Sequence, residues 1–563
     1  MNRDVAAPTT DDKGKWLGLV LVVVFCASIL VTTYQASERY YSKNMVSTDT
    51  SYFLMSVGIL LQGRDDFDLR HVLDAPTPLQ SSDHGTDVYV LHNLSAWLLR
   101  AVLPLRPCLA VILNGLWFSL MAVSVYLLLW ERTRVWRVAA LVTASFLVAN
   151  PYLPTVLFGI TSLDPNLHAF MIGTSALCWV LLSDSFRKHG VSIIVGLFLG
   201  CLVLARVYTL GIVLPAMLPF VVASLWTRSR SELRASLIGG TLAVLAMLAF
   251  SGFWLFPRLG MLQAYTTQFK SAGILGRTSL TATAVAWLRV AGEVLRHNLP
   301  VLCVLFWSFI AQLRGAERGL FRQMNWSHVW LAICPLLILT WLGTSFGPYG
   351  ALAIFGLYLT LLFPLRAGAA AILQRRDFAL ALAAATALGA FRFFSSLAAA
   401  HEVVALDKQP LTAAIESIRQ DAARSHRPRV TVGLVQWGKL HDASLVDSLI
   451  FDAGIRIATP TYPPKPRAGS ALVVDPMVLD NWVWDRRIHG DQAMTPDLWV
   501  SQLTQAADYV IVLAADAAQR RRGGRWPPWV KASRLLLRSS AFRTIAGPFD
   551  IPSDGNVLVL ARR

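Results

Sequence analysis

The sequence predicts a polytopic α-helical membrane protein of about eleven transmembrane helices with a C-terminal α/β domain on the outer side. Of the 563 residues 55% are hydrophobic and 15% are charged, and the mean hydropathy is +0.50. Soluble domains carry about a quarter charged residues. Regularly spaced apolar runs, and a change of composition near residue 400, give the same architecture.

Apolar runs of roughly membrane-spanning length recur along the first 400 residues. They fall near 16–34, 109–130, 138–153, 166–182, 191–205, 208–226, 235–256, 299–313, 328–345, 347–365 and 378–397. The first run is too long for the apolar core of a signal peptide, and no small-residue cleavage site follows it. It therefore predicts an uncleaved first span, with 1–15 as a cytoplasmic tail.

Basic residues alternate between the two sides of these spans. Loops on one side carry Arg132, Arg134, Arg137, Arg187, Lys188, Arg228, Arg230, Arg234, Arg314, Arg318, Arg322, Arg366, Arg375 and Arg376. The opposite loops 154–165 and 345–350 carry no Lys or Arg. This positive-inside pattern accounts for the net charge of +17, so no nucleic-acid partner is expected. It predicts a cytoplasmic N-terminus.

An odd number of spans places three polar regions in one outer compartment. They are the first loop 35–108, the long loop 257–298 and the domain 399–563, which follows the transmembrane part 16–398. In that domain, strand-like runs at 429–435, 471–474, 509–513 and 557–560 alternate with helical runs at 442–452, 496–507 and 531–539. This alternation is typical of an α/β domain. Its basic loop 518–525 is either a phosphate contact or a solvated turn.

The sequence gives little indication of a metal site or of disulfide bonds. The six cysteines lie in or beside apolar segments with no CxxC pair, and read as small core residues. The first loop is rich in Asp and His: Asp65, Asp66, Asp68, His71, Asp74, Asp83, His84, Asp87 and His92. Such a loop suits a divalent cation (Mg²⁺ or Mn²⁺), but no zinc or EF-hand spacing is present. Solvated loop acids are the favoured interpretation, and no cofactor is predicted.

Asp49 is the first candidate catalytic residue. It lies in the run Ser47–Tyr52, just past the first span, and an amphipathic run to Leu61 follows. A carboxylate this close to lipid fits a general base that deprotonates an acceptor hydroxyl. Alternatively, Thr48, Asp49 or Thr50 caps a helix that starts at Ser51 or Tyr52. The two interpretations are compatible.

Asp164 is the second acid. It opens the fourth span, on the same side as Asp49, in the run Gly159–His168. Because Asp before Pro is also a common helix start, capping is the competing interpretation. Two lone carboxylates at the mouths of different spans are nevertheless placed to converge on one cavity.

Candidate ligand-binding side chains accompany these acids. Arg206 ends the fifth span on the outer side, against the charge bias, and either binds a lipid phosphate or snorkels to headgroups. Lys270 and Arg277 in the 257–298 loop are further candidates for the phosphate. The candidate substrate contacts are His92, His168, Tyr208, Trp482 and Trp484. The two tryptophans either stack on a sugar or pack within the domain.

Taken together, these features resemble the GT-C membrane glycosyltransferases. The chain shows an acid and amphipathic helix after the first span, then a helix with His92-Asn93 and a Pro turn at 104–107 into the second span. An acid opens the fourth span and a cation ends the fifth. The family includes protein O-mannosyltransferases and the bacterial aminoarabinose transferases that modify lipid A. The resemblance covers about residues 10–365.

The resemblance implies an inverting displacement with a polyprenyl-phosphate sugar as donor. Asp49 corresponds to the family's first-loop acid, Asp164 to its second acid, and Arg206 to a Lys near the donor phosphate. His92 matches a His or Tyr common before the second span. Many relatives carry paired acids at the first site, whereas Asp49 is flanked by threonines, which favours a metal-independent reaction. The acceptor would be an envelope glycan, lipid or protein.

Localisation and the alternatives follow from the same pattern. The resemblance and the high Ala and Arg content imply a bacterial inner membrane protein with its C-terminal domain in the periplasm.

The rival function is a transporter or flippase of lipid-linked saccharides. Transporters often show inverted repeats and helices broken at the bilayer midplane. No internal repeat is found. A third class is an envelope scaffold. Only the enzyme requires Asp49, Asp164 and Arg206 to line one cavity open to lipid.

Overall fold

Helices form most of the chain up to Glu402, and a six-stranded sheet with helices follows. The computed structural model describes residues 12–44, 48–62, 90–156, 159–163, 165–226, 229–271, 280–314, 324–342, 350–365, 371–402, 407–435, 442–458, 472–477, 493–514, 528–551 and 555–563. For some residues within these helices, among them Thr48–Phe53, only the backbone is described.

The first helices are α1 (Asp12–Tyr41), α2 (Thr48–Gln62), α3 (Val90–Leu99), α4 (Leu109–Thr133), α5 (Trp136–Leu147), α6 (Pro165–Leu182), α7 (His189–Arg206), α8 (Leu210–Trp226) and α9 (Arg230–Ser271). They are followed by α10 (Leu280–Arg314), α11 (Trp326–Leu342), α12 (Gly350–Leu362), α13 (Arg376–Glu402), α14 (Gln409–Arg424), α15 (Asp442–Asp447), α16 (Pro496–Ala506) and α17 (Pro528–Arg538). The strands are β1 (Arg429–Leu434), β2 (Arg456–Ile457), β3 (Val473–Met477), β4 (Tyr509–Ala514), β5 (Phe542–Ile551) and β6 (Gly555–Arg562).

Several of these helices are apolar enough to cross a membrane. Within the described residues, five qualify by length and composition, at Lys13–Tyr41, Leu109–Thr133, His189–Arg206, Arg230–Pro257 and Arg376–Glu402. Shorter apolar helices accompany them, and each apolar run of the sequence coincides with one helix. The chain is therefore a membrane protein, while the number of crossings stays a prediction.

Two segments of the predicted outer loops differ from the sequence prediction. Much of the 257–298 loop is helical, because α9 continues to Ser271 and α10 already begins at Leu280. An apolar pattern marks where lipid contact ends, and a helix has no reason to end at the same residue. The second segment is α2, which begins at Thr48 rather than Ser51 or Tyr52. Asp49 therefore lies in the first turn and not at the N-cap.

Helix α2 lies between two hydrophobic cores. Its residues Leu54, Val57, Leu60 and Leu61 belong to the core of the helical part of the molecule. Its residues Met55 and Ile59, each 1% exposed, belong instead to the core of the C-terminal domain. A helix that buries two faces is held on both sides. It lies against α15 and the π-helical turn Ser448–Asp452 that continues α15.

The sheet has the order β2-β3-β1-β4-β6-β5. Strands β2, β3, β1 and β4 are parallel, and β6 runs antiparallel to both β4 and β5. Strands β2 and β5 have no counterpart in the sequence prediction. On one face, the Tyr509 hydroxyl donates to Asp421 Oδ2 of α14 at 2.9 Å. Burial, together with this bond, raises the pKa of Tyr509 to about 12.

The ends of the first and last long helices meet where the C-terminal domain begins. The Lys408 amide donates to Lys43 O at 3.3 Å, and Asn44 pairs with Asp407 in a β-bridge. One helical turn away, the rings of Tyr40 and His401 pack edge to face with centroids 5.7 Å apart. These contacts hold the ends of α1 and α13 against the start of the C-terminal domain.

Candidate functional site

The residues around the first loop are tied together by hydrogen bonds between buried side chains. Ser56 Oγ of α2 donates to Asn93 Oδ1 of α3 at 3.1 Å. Trp117 Nε1 of α4 donates to Ser95 Oγ of α3 at 3.2 Å. Because buried polar groups require partners, these bonds fix how the three helices face one another. Helix α3 thereby links α2 to α4.

His92 and His168 form a buried pair between α3 and α6. His168 Nδ1 lies 2.7 Å from His92 Nε2, the ring centroids are 4.3 Å apart, and the two residues are 0% and 1% exposed. A bond between two imidazole nitrogens needs one protonated nitrogen and one lone pair, so a single proton lies between these atoms. The sequence predicts each histidine separately as a substrate contact. The structure brings them together, facing each other.

The loop that leads into α6 is held from two sides. Asn114 Nδ2 of α4 donates to both Ile160 O and Ser162 O at 2.7 Å. From α1, the Tyr41 hydroxyl donates to Thr161 O at 3.3 Å. At Gly159 of this loop, a β-carbon would collide with the carbonyl oxygens of Thr155 and Leu153. The residues immediately before position 164 therefore have a fixed backbone.

Arg206 contacts the start of α6 from α7. It is the last residue of α7, and its Nη1 donates to Asn166 Oδ1 in the first turn of α6 at 2.7 Å. Asn166 lies two residues after Asp164. The structure therefore places Arg206 beside the first turn of α6, while Asp164 itself lies outside the described residues.

The other predicted residues have a partial description. Asp49 occupies the first turn of α2, Lys270 the end of α9 and Tyr208 the 3₁₀ turn Val207–Thr209, with the side chains not described. Arg277, Trp482 and Trp484 lie outside the described residues, as do the first-loop acids of 63–89. Convergence of Asp49, Asp164 and Arg206 on one cavity therefore stays a prediction. In the described part of the chain, no three His, Cys, Asp or Glu are grouped to hold a metal ion.

Some residues of this region have no counterpart in the sequence prediction. Asn114 is a polar side chain inside an apolar run, and such residues usually have a structural or functional reason in a membrane protein. The sequence alone could therefore have marked Asn114 as a residue with a specific role. Asn166 and Gln62 had no distinguishing signal, since an amide beside a helix end is ordinary in any loop. Their partners, Arg206 and the backbone of β2, come from distant parts of the chain.

Replacing Asn114 with leucine is expected to destabilise the protein by about 2–4 kcal/mol, because two buried carbonyl groups lose their donor. Thermal unfolding in detergent measures this loss. Ser175→Ala on α6 is the control, because Ser175 is also buried and its Oγ donates to the Met171 carbonyl of its own helix. Unchanged unfolding in Asn114→Leu would contradict the prediction.

Comparison with known proteins gives a match in structure but not in sequence. Neither a protein-family model nor a curated protein matches the chain. ArnT from Cupriavidus metallidurans bound to undecaprenyl phosphate has a TM-score of 0.57 at 14% identity, and its apo structure 0.55 at 14%. Each comparison covers 96% of this chain and 97% of ArnT. These values show a shared fold over nearly the full length of both proteins.

A further match is weaker. The archaeal oligosaccharyltransferase AglB from Archaeoglobus fulgidus, in complex with an inhibitory peptide and a dolichol-phosphate, has a TM-score of 0.42 at 13% identity over 87% of this chain and 69% of AglB. That score is too low to support an argument. ArnT is a lipid A aminoarabinose transferase of the GT-C superfamily. The resemblance found in the sequence is thus confirmed at the level of the fold: this chain has the GT-C fold.

Proposed function

We propose that this protein is a membrane glycosyltransferase that moves a sugar from a polyprenyl-phosphate-linked donor to an acceptor outside the cytoplasm. The observation that carries the proposal is the GT-C fold, shared over 97% of ArnT, a protein whose structure includes bound undecaprenyl phosphate. Fold alone does not fix function. The chemistry is therefore argued from the residues of this chain.

The reaction is a single displacement at the anomeric carbon. Asp49 accepts the proton of the acceptor hydroxyl as the oxygen attacks. The bond between that carbon and the phosphate oxygen breaks on the opposite face, and polyprenyl phosphate leaves with the electron pair. One displacement inverts the configuration of the sugar. The place of Asp49 in the first turn of α2, a helix held between two cores, supports a base in a fixed position.

Arg206 stabilises the charge that develops on the leaving phosphate. A guanidinium group offers paired donors to phosphate oxygens, and its bond to Asn166 orients it beside the start of α6. Lys270, at the end of α9, and Arg277, between α9 and α10, are proposed to assist. Asp164 is the proposed second acid of the site. A cation at this position removes the need for a metal, with Mg²⁺ or Mn²⁺ at the first loop as the alternative.

The remaining residues support the site or contact the substrates. The His92–His168 pair holds α3 against α6 beside the site. The C-terminal domain positions the acceptor, with Trp482 and Trp484 as sugar-stacking side chains. We place the protein in the bacterial inner membrane, with its N-terminus in the cytoplasm and the C-terminal domain in the periplasm. Its partners are then the donor lipid, membrane lipids and an envelope glycan, lipid or protein acceptor.

Turnover of a donor by the purified protein tests this function. The protein in lipid nanodiscs is incubated with a panel of polyprenyl-phosphate sugars labelled in the sugar, together with an envelope extract as the acceptor source. The expected result is the release of polyprenyl phosphate, with the label moved to a new product of inverted configuration. If no donor is consumed, while labelled donor crosses the bilayer of proteoliposomes that contain the protein, the protein is a transporter and the proposal fails.

A further inference from the structure

One face of α2 packs against the C-terminal domain. Met55, Gly58, Ile59 and Gln62 follow the spacing i, i+3, i+4 and i+7, which places them in one stripe along the helix. Met55 and Ile59 are buried in the core of the C-terminal domain. The two other positions make closer and more specific contacts with the same domain.

Gln62 binds the edge of the sheet. Its Nε2 donates to Ile455 O at 2.7 Å, and its Oε1 accepts from the Ile457 amide at 3.1 Å. Strand β2 contains only Arg456–Ile457 and is the edge strand, paired with β3 on its other side. The side-chain amide therefore takes the place of a neighbouring strand. Two bonds from one planar group fix both the distance and the rotation of the end of α2.

Gly58 brings the helix and the domain into direct contact. A β-carbon at this position would lie 2.9 Å from Phe451 Cζ and 3.3 Å from two carbons of Ile450. Both residues belong to the π-helical turn Ser448–Asp452. Since these distances are shorter than ordinary van der Waals contact, a larger residue requires α2 or the side chains of Phe451 and Ile450 to shift.

We propose that the C-terminal domain sets the position of the catalytic helix α2, and that Gln62 and Gly58 are positioning residues for Asp49. This inference rests on the proposed function, in which Asp49 is the base. Asp49 precedes Gln62 by thirteen residues, which is about 20 Å along a helix. A slip of α2 by one residue would rotate Asp49 by about 100° about the helix axis. The contacts at Gly58 and Gln62 prevent that slip.

The first test is Gly58→Ala. Alanine favours a helix more than glycine does, so local helix stability should not fall. The displacement of α2 should lower kcat by about tenfold to a hundredfold, since a misplacement of about 1 Å has effects of that size. The KM for the donor should stay within about twofold, because binding does not need the base. Gly240→Ala on α9 is the matched control, since a β-carbon there meets nothing within 4 Å.

A second-site variant tests the direction of the effect. Phe451→Leu removes the ring atoms that lie closest to position 58, and in the double variant with Gly58→Ala it should restore most of the lost kcat. Gln62→Met keeps the length of the side chain and removes both hydrogen bonds, so it should lower kcat while leaving KM unchanged. Folded Gly58→Ala and Gln62→Met proteins with the kcat of wild type would overturn the inference.

Hydrogen exchange separates this inference from the proposed function. Exchange of the backbone amides of 48–54 is measured in the full-length protein, wild type and Gly58→Ala, without any substrate. Exchange at least severalfold faster in the variant supports the positioning of α2 by the domain, even if the wild-type protein turns over no donor. Equal exchange in the two proteins, like an unchanged kcat, overturns the inference while the proposed function can still stand.

Discussion

Asp49→Asn is expected to lower the rate of sugar transfer by about 10²- to 10⁴-fold, the usual contribution of a general base. Asparagine has almost the same shape, but it cannot accept the proton of the acceptor hydroxyl at neutral pH. Donor binding should remain, because no step of binding uses the base. Transfer by the purified variant is measured at saturating donor, with donor affinity determined separately by equilibrium binding.

The control for this substitution is Asp497→Asn. Asp497 lies on the exposed face of α16, where its side chain is 66% exposed and pairs with Lys531. Exposed ion pairs contribute little, so this change should alter neither transfer nor folding. If Asp49→Asn transferred sugar as fast as Asp497→Asn, another group would have to be the base, and the mechanism proposed here would be wrong.

Loss of Arg206 is expected to have the second largest effect. Arg206→Gln should reduce kcat by about 10²- to 10³-fold, as the removal of one charge-stabilising donor does in other active sites. Arg206→Lys keeps the charge but not the paired donors, so its rate should lie between those of wild type and Arg206→Gln. Steady-state transfer measured at several donor concentrations gives kcat and KM for each variant.

The two ends of α7 supply a matched control. Arg187 lies just before α7, at the opposite end from Arg206, and pairs with Asp184 and Glu232. Its side chain is 44% exposed, and Arg187→Gln should leave kcat within about twofold because exposed ion pairs contribute little. Equal rates for Arg187→Gln and Arg206→Gln would remove Arg206 from the phosphate site.

The membrane part was largely predictable because lipid constrains sequence strongly. Every backbone group in a bilayer must be satisfied within its own helix, so a sufficiently long apolar run becomes a helix. Helix ends were less predictable. The continuation of α9 through Pro257 to Ser271 has no apolar signal, since outside the bilayer polar residues are compatible with a helix.

In the region of the candidate site, the sequence singles out individual residues but not their pairings. His92 and His168 stand out as polar residues in apolar surroundings. Nothing in the order of residues, however, shows that His168 Nδ1 lies 2.7 Å from His92 Nε2. The bond between Arg206 and Asn166 likewise joins two helices. Such pairings depend on how the helices pack, and that is decided by all their contacts together.

Helix α2 also shows where a sequence pattern misleads. Its amphipathic run suggests one buried face and one face toward water or headgroups. Met55 and Ile59 instead enter a second core, built from residues beyond 410. The pattern of α2 alone cannot reveal this, because its second partner is a separate domain at the other end of the chain.

The bonds between Gln62 and β2 also set an order of events during synthesis. Gln62 and Ile455 are 393 residues apart, and a ribosome that adds about 5–20 residues per second needs about 20–80 s to make that length. Throughout this interval α2 has been translated, but the surface that covers Met55, Gly58 and Ile59 does not yet exist. The lipid–water boundary is the nearest apolar environment that can cover this face of α2. The nascent helix should therefore rest on the membrane surface until the C-terminal domain has been made and packs against it.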